Sequence, residues 1–145
     1  MMKNLFILLV LFLASGYSLL AQTQKVYEYD ARDLVQKPEP SPEFLEWIMV
    51  NNKKLGQKAP KSSKIGSRVT LVFQINEKGQ LINPKIWRGI GQGYDENAWE
   101  LFKNNPHFWK PGETSSGKVT TTVYYELDYM KNKNRFVTKE NTPIY

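Results

Sequence analysis

The chain has 145 residues, with 20 Lys and Arg against 14 Asp and Glu, one His and no Cys. That length suits one domain, and a composition 41% hydrophobic and 13% aromatic excludes the disordered and low-complexity classes. Without Cys there is no disulfide framework, no thiol nucleophile and no thiolate metal site, and a single His excludes a multi-histidine metal centre.

Residues 1–21 read as a cleavable secretory signal peptide. Lys3 supplies the positive start, Leu5 to Ala14 is an unbroken apolar run, and Ala21 offers a small residue before Gln22. A retained span would want about 20 apolar residues. The run here breaks at Ser15 and Gly16, so no retained membrane span is expected. No Cys stands at the cleavage site for a lipid anchor. The mature chain loses only Lys3, so its net charge falls from +6 to +5. An exported basic protein suits an anionic lipid, glycan or acidic protein partner, and nucleic acid is a poor one.

Residues 22–40 form an extended lead-in. A short alternating piece at Val26, Tyr27 and Tyr29 could add a strand, and Pro38-Glu39-Pro40 enforces an extended approach. The domain proper spans 41–130. Ser41-Pro42-Glu43 opens a first helix, with Ser41 as cap and Phe44, Leu45, Ile48 and Met49 as one apolar stripe. Asn51 to Ser63 reads as a polar loop. Arg68 to Asn76 alternates as a half-buried strand, with Val69, Leu71, Phe73 and Ile75 on one face. Gly79 serves a tight turn into a second strand from Leu81 to Arg88, in which Pro84 marks an edge or a bulge. Gly89 to Gly93 is a flexible crossover. Asp95 is the expected cap of a second helix carrying Ala98, Trp99, Leu101 and Phe102, which ends at Asn104-Asn105-Pro106. Val119 to Tyr129 is a long third strand. Residues 131–145 read as a basic, solvated tail. The order helix, strand, strand, helix, strand predicts an α+β fold: a small three-stranded antiparallel sheet with two helices packed on one face.

Several pieces carry a resemblance. They are Val35 to Pro40 with Phe44 to Ile48 and Asn51-Asn52; Val69 to Gly79; Arg88 to Gly91 with Gly93-x-Asp95 and Ala98; and Trp109 to Gly112 with Gly117-Lys118-Val119. In this order and spacing, over about residues 35 to 130, the chain resembles the TonB C-terminal domain family in its Bacteroidetes-type exported form. The resemblance implies a periplasmic location and a domain that grips an extended peptide of an outer-membrane or periplasmic protein along its last strand. Such β-augmentation draws affinity from main-chain hydrogen bonds and selectivity from side-chain pockets. Here the implied edge strand carries Val119, Thr120, Thr122, Tyr124 and Glu126. The chain departs from the family in three ways. It has no His before His107 for motor coupling, no long Pro-rich spacer, and Leu55-Gly56 where the family has Tyr-Pro.

The other motifs weigh toward structure. Gly89-x-Gly91-x-Gly93 fails the dinucleotide spacing, because position 94 is Tyr, and no P-loop Lys follows. His107 has no Ser or Asp partner at a catalytic spacing. Glu126 and Asp128 share a strand face without a third metal ligand. No catalytic residue, metal or cofactor is therefore assigned, and a non-catalytic interaction module is expected. Two alternatives stay open. One is a membrane-tethered energy transducer for outer-membrane transport. The other is an envelope glycan-binding module using Trp87 with Lys58, Lys61 and Lys64. Edge strands also pair with each other, which leaves a homodimer open.

Overall fold

The computed structural model describes residues 24–57, 67–131 and 133–139. The expected signal peptide (residues 1–21) and Lys58, Lys61 and Lys64 lie outside the described residues. In chain order the elements are β1 (Val26–Glu28), β2 (Glu39–Pro40), α1 (Pro42–Gln57), β3 (Arg68–Ile75), β4 (Leu81–Arg88), α2 (Tyr94–Lys103), β5 (Trp109–Lys110), β6 (Gly112–Thr114), β7 (Gly117–Asp128) and β8 (Lys133–Val137).

The three-stranded antiparallel sheet expected from the sequence is corrected. The main sheet has six strands and mixed orientation, with β1, β7, β3 and β4 in a row and β6 and β8 also on β7; β2 and β5 form a separate two-stranded sheet. The hairpin β3–β4 and the antiparallel pair β3–β7 make the expected centre. Of the three added strands, β6 comes from the turn before β7, and β1 and β8 come from the lead-in and the tail. Both look polar in sequence because most of their side chains are. However, β7 is 12 residues long, and the backbone groups along its outer edge need partners. Short extended segments with one or two good apolar anchors suffice to supply them.

Alternation along β3 and β7 sends Val69, Leu71, Phe73 and Ile75, together with Val123, Tyr125 and Leu127, to one face. Phe44 and Ile48 of α1 and Ala98 and Phe102 of α2 are buried against that face, with Trp109 between them. Phe44 meets Trp109, Phe102 and Tyr125 edge-on, with ring centroids 4.9, 6.0 and 6.3 Å apart. Each such side chain contributes about 1.5–3 kcal/mol by leaving water. Ser41 Oγ accepts the Phe44 N–H at 3.1 Å and so caps α1 as its sequence implies. The helix then runs through the expected loop as far as Gln57. Asn51 Nδ2 donates to the Trp47 carbonyl at 2.8 Å, while buried Asn52 reaches the Asp128 carbonyl at 3.3 Å and Asn134 Oδ1 at 3.2 Å. Asn52 thus pins α1 to the β7–β8 turn.

The cap of α2 also differs from expectation. Gly93 occupies the N-cap in the left-handed region, with no side-chain cap bond. Asp95 turns back instead and accepts the Ile90 N–H at 2.8 Å and the Gly91 N–H at 3.1 Å. The glycine loop is thus held closed by a carboxylate where a phosphate would have to sit.

Candidate functional site: the outer edge of β7

Along β7 every position from Arg68 to Ile75 of β3 is matched on one side, from Asp128 back to Thr121. Three separate segments occupy the other side. β6 pairs antiparallel with Gly117 to Val119, β1 pairs parallel with Thr120 to Thr122, and β8 pairs antiparallel with Tyr124 to Asp128. The five residues implied for the peptide edge therefore lie on an inner strand of the sheet. Val119 sits opposite Gly112, Thr120 opposite Val26, Thr122 opposite Glu28, Tyr124 opposite Val137 and Glu126 opposite Arg135. The free edge expected at Val119–Tyr129 is corrected accordingly: the lead-in and the tail both cover it.

The covers are held unequally. β8 is anchored from both faces. Arg135 Nε donates to Glu126 Oε1 at 2.8 Å, and Glu126 is 2% exposed. Arg68 Nε stands 3.8 Å from the same oxygen and 3.3 Å from Asp128 Oδ2. Asp128 closes the turn, since its Oδ1 accepts the N–H groups of Met130 and Lys131 and the Ser67 hydroxyl at 3.0–3.1 Å. Burial pushes the Asp128 carboxyl up, but these hydrogen bonds and that from Arg68 together outweigh it and hold it below the usual carboxylate range. The carboxylate pair seen in sequence is thus occupied by two guanidiniums and a turn.

β1 is three residues long, and Val26 is 41% exposed. Its polar ties are exposed: Gln24 hydrogen-bonds Glu77, and Lys25 Nζ lies 3.8 Å from Asp33. Such surface ties contribute roughly 0–1 kcal/mol each. The real anchor follows the strand. The Tyr29 ring stacks on Phe136 at 4.9 Å with 12° between planes, and the Lys37 ammonium also stands over it, 5.1 Å from its centroid. Phe136 in turn rests edge-on against Tyr125 at 5.2 Å and Trp109 at 5.9 Å. Burial raises the Tyr29 hydroxyl above its ordinary pKa, and the Glu39 carboxylate adds to the effect.

β1 and β8 run toward each other along β7 and meet at Val123. Where they diverge they leave a cleft of about 260 Å³, lined by Glu28, Tyr29, Asp30, Tyr124, Val137, Thr138 and Lys139. Burial lifts the Glu28 pKa, Asp30 lifts it further, and Lys139 opposes both. Trp87 is 41% exposed, stands edge-on to Tyr124 at 5.4 Å and donates Nε1–H to the Lys139 carbonyl at 3.1 Å. It serves as a clasp on the tail. Of the proposed glycan contacts, only Trp87 lies within the described residues.

Across the sheet, β4 forms the opposite edge and pairs with β3 alone. It is poorly built for pairing. Pro84 lacks a donor, Asn83 sits at φ +54°, and the Pro84 carbonyl already accepts Trp99 Nε1–H at 2.9 Å. Trp109 is buried, whereas Trp99 is half-buried under Lys103, whose ammonium lies 4.4 Å from its ring. His107 packs against Trp47, with centroids 6.1 Å apart. Among the described residues no group of three or more His, Cys, Asp or Glu is placed to hold a metal, and no helix is long and apolar enough to cross a membrane.

Sequence reasoning placed Tyr29 on a possible strand but missed its partners Phe136 and Lys37. The one available signal was the spacing of Tyr27 and Tyr29, two apart in a stretch otherwise polar. Compared with family models, with curated proteins and with solved structures, the chain matches none of them. The resemblance to the TonB C-terminal domain rests on the motifs alone.

Proposed function

We propose that this domain is a non-catalytic interaction module that takes an extended segment of a protein partner by strand addition on the outer edge of β7. The stretch concerned is Thr120 to Thr122. One observation carries the reading: this edge holds short, separate segments in both orientations, β1 parallel and β6 and β8 antiparallel, and the β1 position is the least anchored. The opposite edge, β4, is blocked by Pro84, Asn83 and Trp99. Strand addition needs backbone complementarity and one or two side-chain pockets, and the β1 position offers both. A periplasmic setting, with an outer-membrane or periplasmic protein as partner, follows from the leader and the family resemblance.

The test is photo-crosslinking in living cells that make the protein, with the probe at Thr122 and the adduct mapped by mass spectrometry. The reading predicts an adduct to an extended segment of an envelope protein. A self-adduct, or none from abundant folded protein, would contradict it.

A further inference from the structure

Resting on that reading, we infer that the chain's own segment Tyr27-Glu28-Tyr29 is a resident stand-in for the partner, and that the partner is an extended segment with an aromatic residue directly after its paired stretch, running parallel to β7. β1 occupies the stretch in register, Val26 to Thr120 and Glu28 to Thr122. In an extended strand, residues two apart share a face. Tyr27 and Tyr29 therefore point to the side of the sheet where Phe136 lies. Tyr29 fills a slot walled by Phe136, with the Lys37 ammonium over its ring. That slot suits a flat, electron-rich ring, and the wall is rigid because Tyr125 and Trp109 back Phe136. The site is also short. Beyond Glu28 a parallel strand would run into Val137 of β8, so the recognised segment pairs over about three residues, and the aromatic that follows turns into the slot.

A stand-in of this kind sets the apparent affinity. The partner binds only the fraction of molecules whose edge is vacated, so weakening β1 tightens binding in trans. The residue to weaken is Tyr29, the anchor of the segment, half-buried and followed by a turn in which the Ala31 N–H bonds the Glu28 carbonyl at 3.0 Å.

The probe is a fluorescein-labelled peptide of the chain's own Lys25 to Asp30, titrated into the full chain and read by anisotropy. Tyr29→Ala in the chain removes one stack and one cation–π contact, so the peptide binds about tenfold more tightly than to the parent chain. The same peptide with its second Tyr replaced by Ala loses at least tenfold. The chain has no Cys, so a reversible lock can be added without interference. With Glu28→Cys and Thr122→Cys on directly opposed positions, oxidation fixes β1 in place. Peptide binding then disappears in the oxidised protein and returns on reduction. Equal binding to the locked and reduced forms, or to the one-aromatic peptide, overturns the inference. If that happens while the Thr122 crosslink still maps to a partner segment, strand addition stands and only the stand-in role falls. If Thr122 yields no partner adduct, the underlying reading falls.

Discussion

Replacing Gly79 by Ala should destabilise the domain far more than an ordinary turn substitution. Gly79 sits at φ +78°, and a Cβ built there would lie 2.0 Å from the Trp109 carbonyl oxygen and 3.1 Å from its carbon. The left-handed conformation alone costs an alanine about 1 kcal/mol. The contact is with backbone, so Trp109 must move. Moving it breaks the 2.7 Å hydrogen bond from the Trp109 N–H to the Gly79 carbonyl, worth about 1 kcal/mol. It also disturbs the edge-on contacts of Trp109 with Phe44 at 4.9 Å and Phe73 at 5.5 Å, worth about 1 kcal/mol each. The sum is roughly 4 kcal/mol, a large share of the 5–15 kcal/mol that holds a typical domain folded. Urea unfolding followed by far-ultraviolet circular dichroism would show the midpoint falling by about 2 M at an unchanged slope. Gly91→Ala is the control, because its φ is +72° but nothing lies within 4 Å of the added carbon. It should cost only about 1 kcal/mol. Equal losses for the two variants would refute the packing of the hairpin turn against Trp109. Because Trp109 also supports Phe136, Gly79→Ala should loosen the β1 stretch as well, seen as faster amide exchange of Val26 to Glu28.

Three further outcomes follow from the same geometry. The Asp128 carboxyl is held below its ordinary pKa, so it adds stability above the unfolded value near 4 that is lost as pH falls through the lower folded value; Asp128→Asn should remove this acid-side slope in unfolding measured from pH 5 to pH 2. Arg135→Ala leaves buried Glu126 with the more distant Arg68 and should cost about 2 kcal/mol in the same unfolding assay, whereas removal of the exposed Lys25–Asp33 pair by Lys25→Ala should cost under about 0.5 kcal/mol. Glu28 has a raised pKa, so docked β1 favours the protonated form; docking is strongest below the unfolded value and weakens as pH rises through the folded one. Glu28→Gln should therefore slow amide exchange of Val26 to Glu28 at pH 7 and leave it unchanged at pH 4.

The parts of the fold that repeat a period were legible in the sequence. The alternation from Arg68 to Ile75 and the turn at Gly79 stand where the pattern puts them, whereas of the expected stripe Phe44, Leu45, Ile48 and Met49 only Phe44 and Ile48 are buried and Leu45 and Met49 face solvent. The errors share a cause. β1 falls on the alternating piece where a strand could be added, but β8 lies in a stretch too short and too charged to show a period, and what places both is the unsatisfied edge of β7, a need that no local pattern records. The tail was read by its charge, yet Arg135 is there to meet buried Glu126, and Phe136 and Val137 supply the packing. Asp95 was read as a helix cap because Asp before an apolar stripe usually is one; here Gly93 takes the cap and frees the carboxylate for the loop. The site itself was half legible. The long strand and a possible strand at Val26 to Tyr29 could be named, but their pairing and the cover from the tail could not, because Tyr29 and Phe136 are 107 positions apart and meet only through pairing with β7.

The account turns on whether a strand supplied in trans takes the place of β1. The direct measurement is isotope-filtered NMR of the uniformly labelled full chain with the unlabelled Lys25–Asp30 peptide. The account predicts contacts from the peptide backbone to Thr120–Thr122 and from its second Tyr ring to Phe136, with loss of the intramolecular contacts from Val26–Glu28. Peptide contacts along β4, or none at all, with the β1 contacts intact at saturating peptide, would contradict it.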